Sequence, residues 1–198
     1  MNRKFKLLAG AIVGAALAAT SATAATASTA TSLPQPVPGV TASNIVAEAT
    51  YGIVNGKPFA HVIKGQLVGK YQLSGITATP DQTVRCTEYI SDVSKENGNH
   101  PFKWETMQTC SGPFGDQYMA TQMWRSSYLE PVGYGGWAYS PHTSNGFTSE
   151  NWSIGCNYGK GEYNYYPVMY GWTVGLGQGP TIRSDNTLDN DHCGPNPP

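Results

Sequence analysis

From residue 45 onward, the alternation of apolar and polar positions predicts strands rather than helices. Residues 47–54 run into Asn55-Gly56, the strongest short hairpin signal, and residues 57–62 return. Pro58 falls opposite Ile53 in this hairpin, so its missing N–H points away from the partner and marks the returning strand as a sheet edge. Residues 66–76 continue with a broken apolar pattern. Strands follow at 83–93 and 103–111, on either side of a run of turn formers at 94–101. Gly112-Pro113-Phe114-Gly115 is a turn, and residues 118–129 form a long strand with large side chains on both faces, as expected of a central one. Met119, Met123 and Ser126 also fit a helical stripe, but Thr, Trp, Tyr and Ser favour a strand here.

Further strands are predicted at 137–140, 148–157, 163–174 and 181–188. In 163–174, Tyr166, Val168, Tyr170, Trp172 and Val174 share one face, and Pro167 calls for a bulge or an edge. The expected fold is all-β: an antiparallel sandwich or barrel of about eight to ten short strands, with no helix after residue 27 and no internal repeat of fixed period.

The four cysteines sharpen this picture. Cys86, Cys110, Cys156 and Cys193 contain no C-x-x-C spacing, which favours disulfides over a metal site. Folding the chain about Gly98 sets Cys86 against Cys110, Glu88 against Gln108 and Tyr89 against Met107. A cross-strand disulfide is natural there, and Cys156–Cys193 follows by elimination.

The N-terminus has another character. Residues 2–6 are basic, residues 7–19 are small and aliphatic, and Ala22-Thr23-Ala24 and Ala25-Thr26-Ala27 offer small residues for cleavage. This predicts a secretory signal peptide over 1–27, since the apolar run is shorter than the roughly 20 residues that span a bilayer. Residues 28–43, proline-bearing and uncharged, read as a flexible leader, and 44–198 as one domain. Removing 1–27 takes away Arg3, Lys4 and Lys6, which leaves nine cationic side chains against thirteen anionic ones and a net charge of about −4. No basic cluster remains, so nucleic acid and anionic membrane are poor partners, and the expected location is extracellular or periplasmic. The chain is charge-poor (13%) and rich in Gly (23) and Tyr (12), the composition of a loop-rich β protein with a polar, uncharged surface.

Catalytic motifs are scarce. There is no H-E-x-x-H, no G-x-S-x-G and no P-loop. His142 near Ser140 and Ser144 is the only local hint of a Ser–His pair, and it is read as a solvated loop histidine. Glu88, Glu105, Glu130, Glu150 and Glu162 are expected mostly at strand edges or turns, with nothing in their spacing to make a glycosidase pair. The acidic run 185–191 lacks the features of a calcium loop and reads as a polar turn. Asn151-Trp152-Ser153 matches the glycosylation sequon. No metal or cofactor is called for.

Residues 133–141, GYGGWAYSP, are the most informative stretch, with glycines spaced among large rings. They read as a loop presenting Tyr134, Trp137 and Tyr139, with Tyr158, Tyr163 and Tyr165 as possible additions, because rigid aromatic rings bind at low entropic cost; the alternative is that Trp137 and Trp124 are core rings of a sandwich. The expected function is that of a secreted, non-enzymatic module binding an extracellular glycan or protein through an aromatic surface. The alternatives are an inhibitor of an extracellular hydrolase acting through loop 94–101, and a small extracellular hydrolase whose site is assembled from distant residues.

Overall fold

The computed structural model describes residues 44–71, 79–91, 93–95, 101–126, 132–156, 163–185, 188–191 and 193, all within one compact unit, Pro36–Pro198. Residues 1–43, expected to be a signal peptide and a leader, lie outside the described residues. Thirteen strands form, and no helix is present among the described residues. They are β1 (Ile45–Val54), β2 (Lys57–Lys64), β3 (Gln66–Leu67), β4 (Val84–Ser91), β5 (Ser94–Lys95), β6 (Phe102–Ser111), β7 (Gln117–Ser126), β8 (Val132–Tyr139), β9 (Phe147–Ile154), β10 (Tyr163–Thr173), β11 (Gly177–Gln178), β12 (Ile182–Arg183) and β13 (Leu188–Asp191). Four of these are two-residue pairings, so nine are strands of ordinary length.

The strands make two antiparallel sheets, a sandwich rather than a barrel. The first has the order β2-β1-β4-β6-β5, with β9 also pairing β6. The second has the order β3-β12-β10-β7-β8, with β11 and β13 also pairing β10. Asn55 and Gly56 adopt positive φ (50° and 71°) at the β1–β2 turn, the geometry a two-residue hairpin needs. Pro58 pairs with Ile53 on β2, an edge strand, as its missing N–H requires.

The first hairpin across β4 and β6 has the register that the turn formers imply. Cys86 faces Cys110, Glu88 faces Gln108 and Tyr89 faces Met107. Both disulfides, Cys86–Cys110 and Cys156–Cys193, are formed. They suit an oxidising environment, and among the described residues no helix is long and apolar enough to cross a membrane.

Three local expectations need correction. Residues 133–136 are not a loop but part of β8. Pro167 causes no bulge against β7, which pairs with β10 without interruption from Asn164 to Thr173. Its missing N–H falls instead on the other side of β10, between the stretch paired with β13 and the stretch paired with β12. Residues 181–188 are not one strand; β12 ends at Arg183, Ser184 and Asp185 lie outside any strand, and β13 begins at Leu188.

The sheets pack face to face, burying the odd positions of β1, β7 and β10 and the even positions of β4 and β6. The larger apolar cluster joins Ala47, Ala49, Ile90 and Phe102 of the first sheet to Met119, Met123, Tyr165 and Met169 of the second. A smaller one gathers Tyr51, Ile53, Val84 and Leu176 around the Cys86–Cys110 bond. Polar residues are buried in the same interior: Glu88, Thr106, Gln108, Gln117, Thr121 and Thr173. Most are satisfied across the gap. Trp104 Nε1 donates to Thr121 Oγ1 at 3.0 Å, and Gln108 Nε2 donates to Gln117 Oε1 at 2.7 Å and to Thr173 Oγ1 at 3.2 Å.

Candidate functional site

The outer face of the second sheet carries the candidate site, and cross-strand register builds it. Tyr118 on β7 pairs with Trp172 on β10. Two positions along, Ala120 pairs with Tyr170 on one side and with Tyr139 of β8 on the other. The small Ala120 side chain leaves its two neighbours room to meet across it. A period of two then puts Trp137 on the same face as Tyr139.

Contacts join these rings into one patch. Tyr118 stacks on Trp172 with centroids 5.2 Å apart and planes 24° apart. Trp137 lies 5.2 Å from Tyr170, and Tyr118 lies 6.2 Å from Tyr139. His142, just beyond β8, packs 4.6 Å from Tyr118 and 6.5 Å from Trp172. Tyr139 is the most open of the large apolar side chains, at 58% exposed. Aromatic rings gathered on an outer face, rather than scattered singly, are the kind of surface that marks a binding site.

Electrostatically the patch is quiet. Burial, with the Tyr139 and Tyr118 phenols beside it, pushes the Tyr170 phenol up to about 12. Burial, and then Tyr139, also raises Tyr118. Both therefore stay neutral hydroxyls that donate and accept at any physiological pH. At the rim of the patch His142 Nδ1 and Asp116 Oδ2 lie 2.7 Å apart. The other carboxylate oxygen of Asp116 accepts the Gln117 N–H at 3.1 Å, which fixes the carboxylate and, through it, the imidazole.

The β8 strand owes its shape to an irregularity. Met123 pairs with Tyr134 and Thr121 with Ala138, so two steps of β7 face four of β8. Gly135 takes φ +84° in this bulge. Gln122 pins it: Nε2 donates to the Gly135 carbonyl at 2.5 Å, while Oε1 accepts from Trp124 Nε1 at 2.8 Å. A Cβ at Gly133 would stand 2.3 Å from that same Nε2, so the clamp requires glycine there.

The three residues singled out from the sequence are thus separated. Trp137 and Tyr139 lie on the patch. Tyr134 points the other way and is fully buried, packed edge-on against Phe102 and Tyr165. Its hydroxyl donates to the carbonyls of Gly155 (3.3 Å) and Cys193 (3.2 Å), so it ties the core to the end of the chain rather than meeting a ligand. Tyr165 is likewise a core ring, Tyr163 lies under the Arg125 guanidinium at 4.7 Å, and Tyr158 lies outside the described residues. The patch members not foreseen are Tyr118, Tyr170, Trp172 and His142. The shared face of Tyr170 and Trp172 was visible in the alternation of 163–174, but their partners on β7 and β8 were not.

A cleft of about 530 Å³ opens elsewhere, at β6 and β9 of the first sheet, lined by Ser91, Lys103, Glu105, Asn151 and Ser153 among others. Its Glu105 accepts from Ser149 Oγ at 2.5 Å, and Asn151, the exposed sequon residue, stands at its rim. No group of three or more His, Cys, Asp or Glu side chains suited to a metal occurs among the described residues. Glu88 corrects the expectation that the carboxylates sit at edges or turns, since it is fully buried between the sheets. Residues 96–100 of the suggested inhibitory loop lie outside the described residues. Comparison with family models, curated proteins and solved structures returns no match.

Proposed function

We propose that the chain is a secreted, non-enzymatic binding module that holds an extracellular glycan or protein against the aromatic patch of Tyr118, Trp137, Tyr139, Tyr170, Trp172 and His142. The observation that carries this reading is the convergence of rings from three strands on one outer face. Neutral phenols and indoles offer both apolar faces and hydrogen-bonding edges, which suits sugar rings and polar protein surfaces. The signal-like N-terminus and the two disulfides support an extracytoplasmic setting.

The Asp116–His142 pair supports a hydrolase only in part. A triad also needs a hydroxyl on the free imidazole nitrogen. The neighbouring Ser140 Oγ accepts the Met119 N–H at 2.9 Å and donates to the Pro141 carbonyl at 3.1 Å, so it is engaged elsewhere. Binding without chemistry therefore fits better. Glycan-array and protein-capture measurements on the secreted chain test it. Trp172→Ala and Trp137→Ala should each weaken the interaction about tenfold or more, as truncated aromatic anchors do. Binding indifferent to both substitutions, or hydrolysis lost with His142→Ala, would reject it.

A further inference from the structure

Two oxygens buried between the sheets have no donor. Glu88 on β4 and Gln108 on β6 are cross-strand partners, both fully buried. Glu88 Oε2 accepts the Gly171 N–H at 2.7 Å. Glu88 Oε1 and Gln108 Oε1 accept nothing. Buried polar atoms are rarely left so, and each one asks for an explanation.

The orientation of the Gln108 amide follows from its neighbours. Gln117 Nε2 donates to the Asn145 carbonyl, so Gln117 Oε1 is left as an acceptor. It takes its hydrogen from Gln108 Nε2 at 2.7 Å, and the same nitrogen reaches Thr173 Oγ1 at 3.2 Å. The Gln108 carbonyl is therefore turned toward Gly171, where a Cβ would stand only 1.5 Å from it. A Cβ at Gly179 would come within 2.9 Å of Glu88 Oε2. The backbone of Gly171 and Gly179 thus approaches both groups closely.

Among the described residues no cationic side chain acts on Glu88. The titratable groups facing Glu88 are the phenols of Tyr51 on β1 and of Tyr71. The strands β6 and β10 present the neutral Gln108, Gly171 and Thr173, and the turn after β11 presents Gly179. A protonated carboxyl would supply the missing donor from Glu88 itself.

We propose that Glu88 is a neutral carboxylic acid in the folded protein, that its Oε1–H donates to Gln108 Oε1, and that this proton completes a clasp between the sheets which alkaline solution opens. One side of the clasp is Glu88 and Gln108 on the first sheet; the other is Gly171, Thr173 and Gln117 on the second. Removing the proton would leave a carboxylate and an amide carbonyl side by side with no donor between them. Burial acts in the same direction, holding the acid well above the ordinary carboxyl range, with the Gly171 N–H opposing it more weakly.

The consequence for stability has a definite sign. Above about pH 4.5 an unfolded chain loses this proton while the folded one keeps it. The contribution is full below that point and declines as pH rises toward the native pKa.

Thermal unfolding of the wild type and of Glu88→Gln from pH 5 to pH 9 tests the clasp. Glutamine supplies an N–H donor that does not titrate. Relative to the variant, the wild-type Tm should fall by about 3–5 °C per pH unit through the window. Parallel curves would overturn the proposal. If Glu88→Gln does not fold, infrared spectroscopy of the wild type at pH 7 decides. A carbonyl band of a protonated, exchange-resistant carboxylic acid supports the clasp, and its absence sinks it.

Discussion

The interior between the sheets and the outer face of the second sheet invert the usual distribution of side chains. Between the sheets, where apolar packing is the rule, a layer of Glu88, Gln108, Gln117 and Thr173 runs beside the two apolar clusters. On the outer face, where water is the neighbour, five aromatic rings and an imidazole gather. Both arrangements depend on β7 and β10. The odd positions Gln117, Gly171 and Thr173 turn inward, and the even positions Tyr118, Tyr170 and Trp172 turn outward. The same strand pair thus supplies the polar inside and the aromatic outside. A one-residue slip in its register would exchange the two faces together.

The sharpest way to break the inside is at Gly171. Gly171→Ala drives a methyl into the Gln108 carbonyl, 1.5 Å away, and into the Tyr51 hydroxyl, 3.0 Å away. We expect a loss of about 5 kcal/mol, the range of severe core lesions, measured by urea unfolding. Tyr134 and Tyr139, five residues apart on β8, provide the internal contrast. Tyr134→Ala should cost about 3–5 kcal/mol, because it empties a fully buried ring site and unpairs two carbonyls. Replacing Cys156 and Cys193 by serine together should cost about 3–4 kcal/mol by the chain-entropy estimate for a loop of this length. Tyr139→Ala should change stability by no more than about 0.5 kcal/mol while weakening ligand binding, since the ring is mostly exposed. If Tyr139→Ala unfolds the protein as Tyr134→Ala does, the division of β8 into a core ring and a binding ring is wrong.

How far the sequence could be read depended on the distance along the chain over which residues meet. The Cys86–Cys110 hairpin was legible to the residue, because one run of turn formers fixes the register of two neighbouring strands. Asn55-Gly56 and Pro58 were legible for the same reason. The pairing of Tyr118 with Trp172 joins residues 54 apart, and nothing local sets that register. β8 misled because its glycines resemble a loop, whereas they relax the backbone into a bulge that Gln122 clamps. Glu88 was misplaced because carboxylates are rarely buried. Its phase held the answer: with a period of two it shares a face with Cys86 and Ile90, both fully buried.

The Cys156–Cys193 link also has a mechanical meaning. It bridges the chain just after β9 and just after β13, so β10 lies within the loop it closes. A pull on the two ends of the chain passes through that sulfur bridge and bypasses the strand bearing Tyr170 and Trp172. Tyr118, Trp137, Tyr139 and His142 stay on the loaded path, so under tension two of the six side chains of the patch would be shielded and four would carry the force.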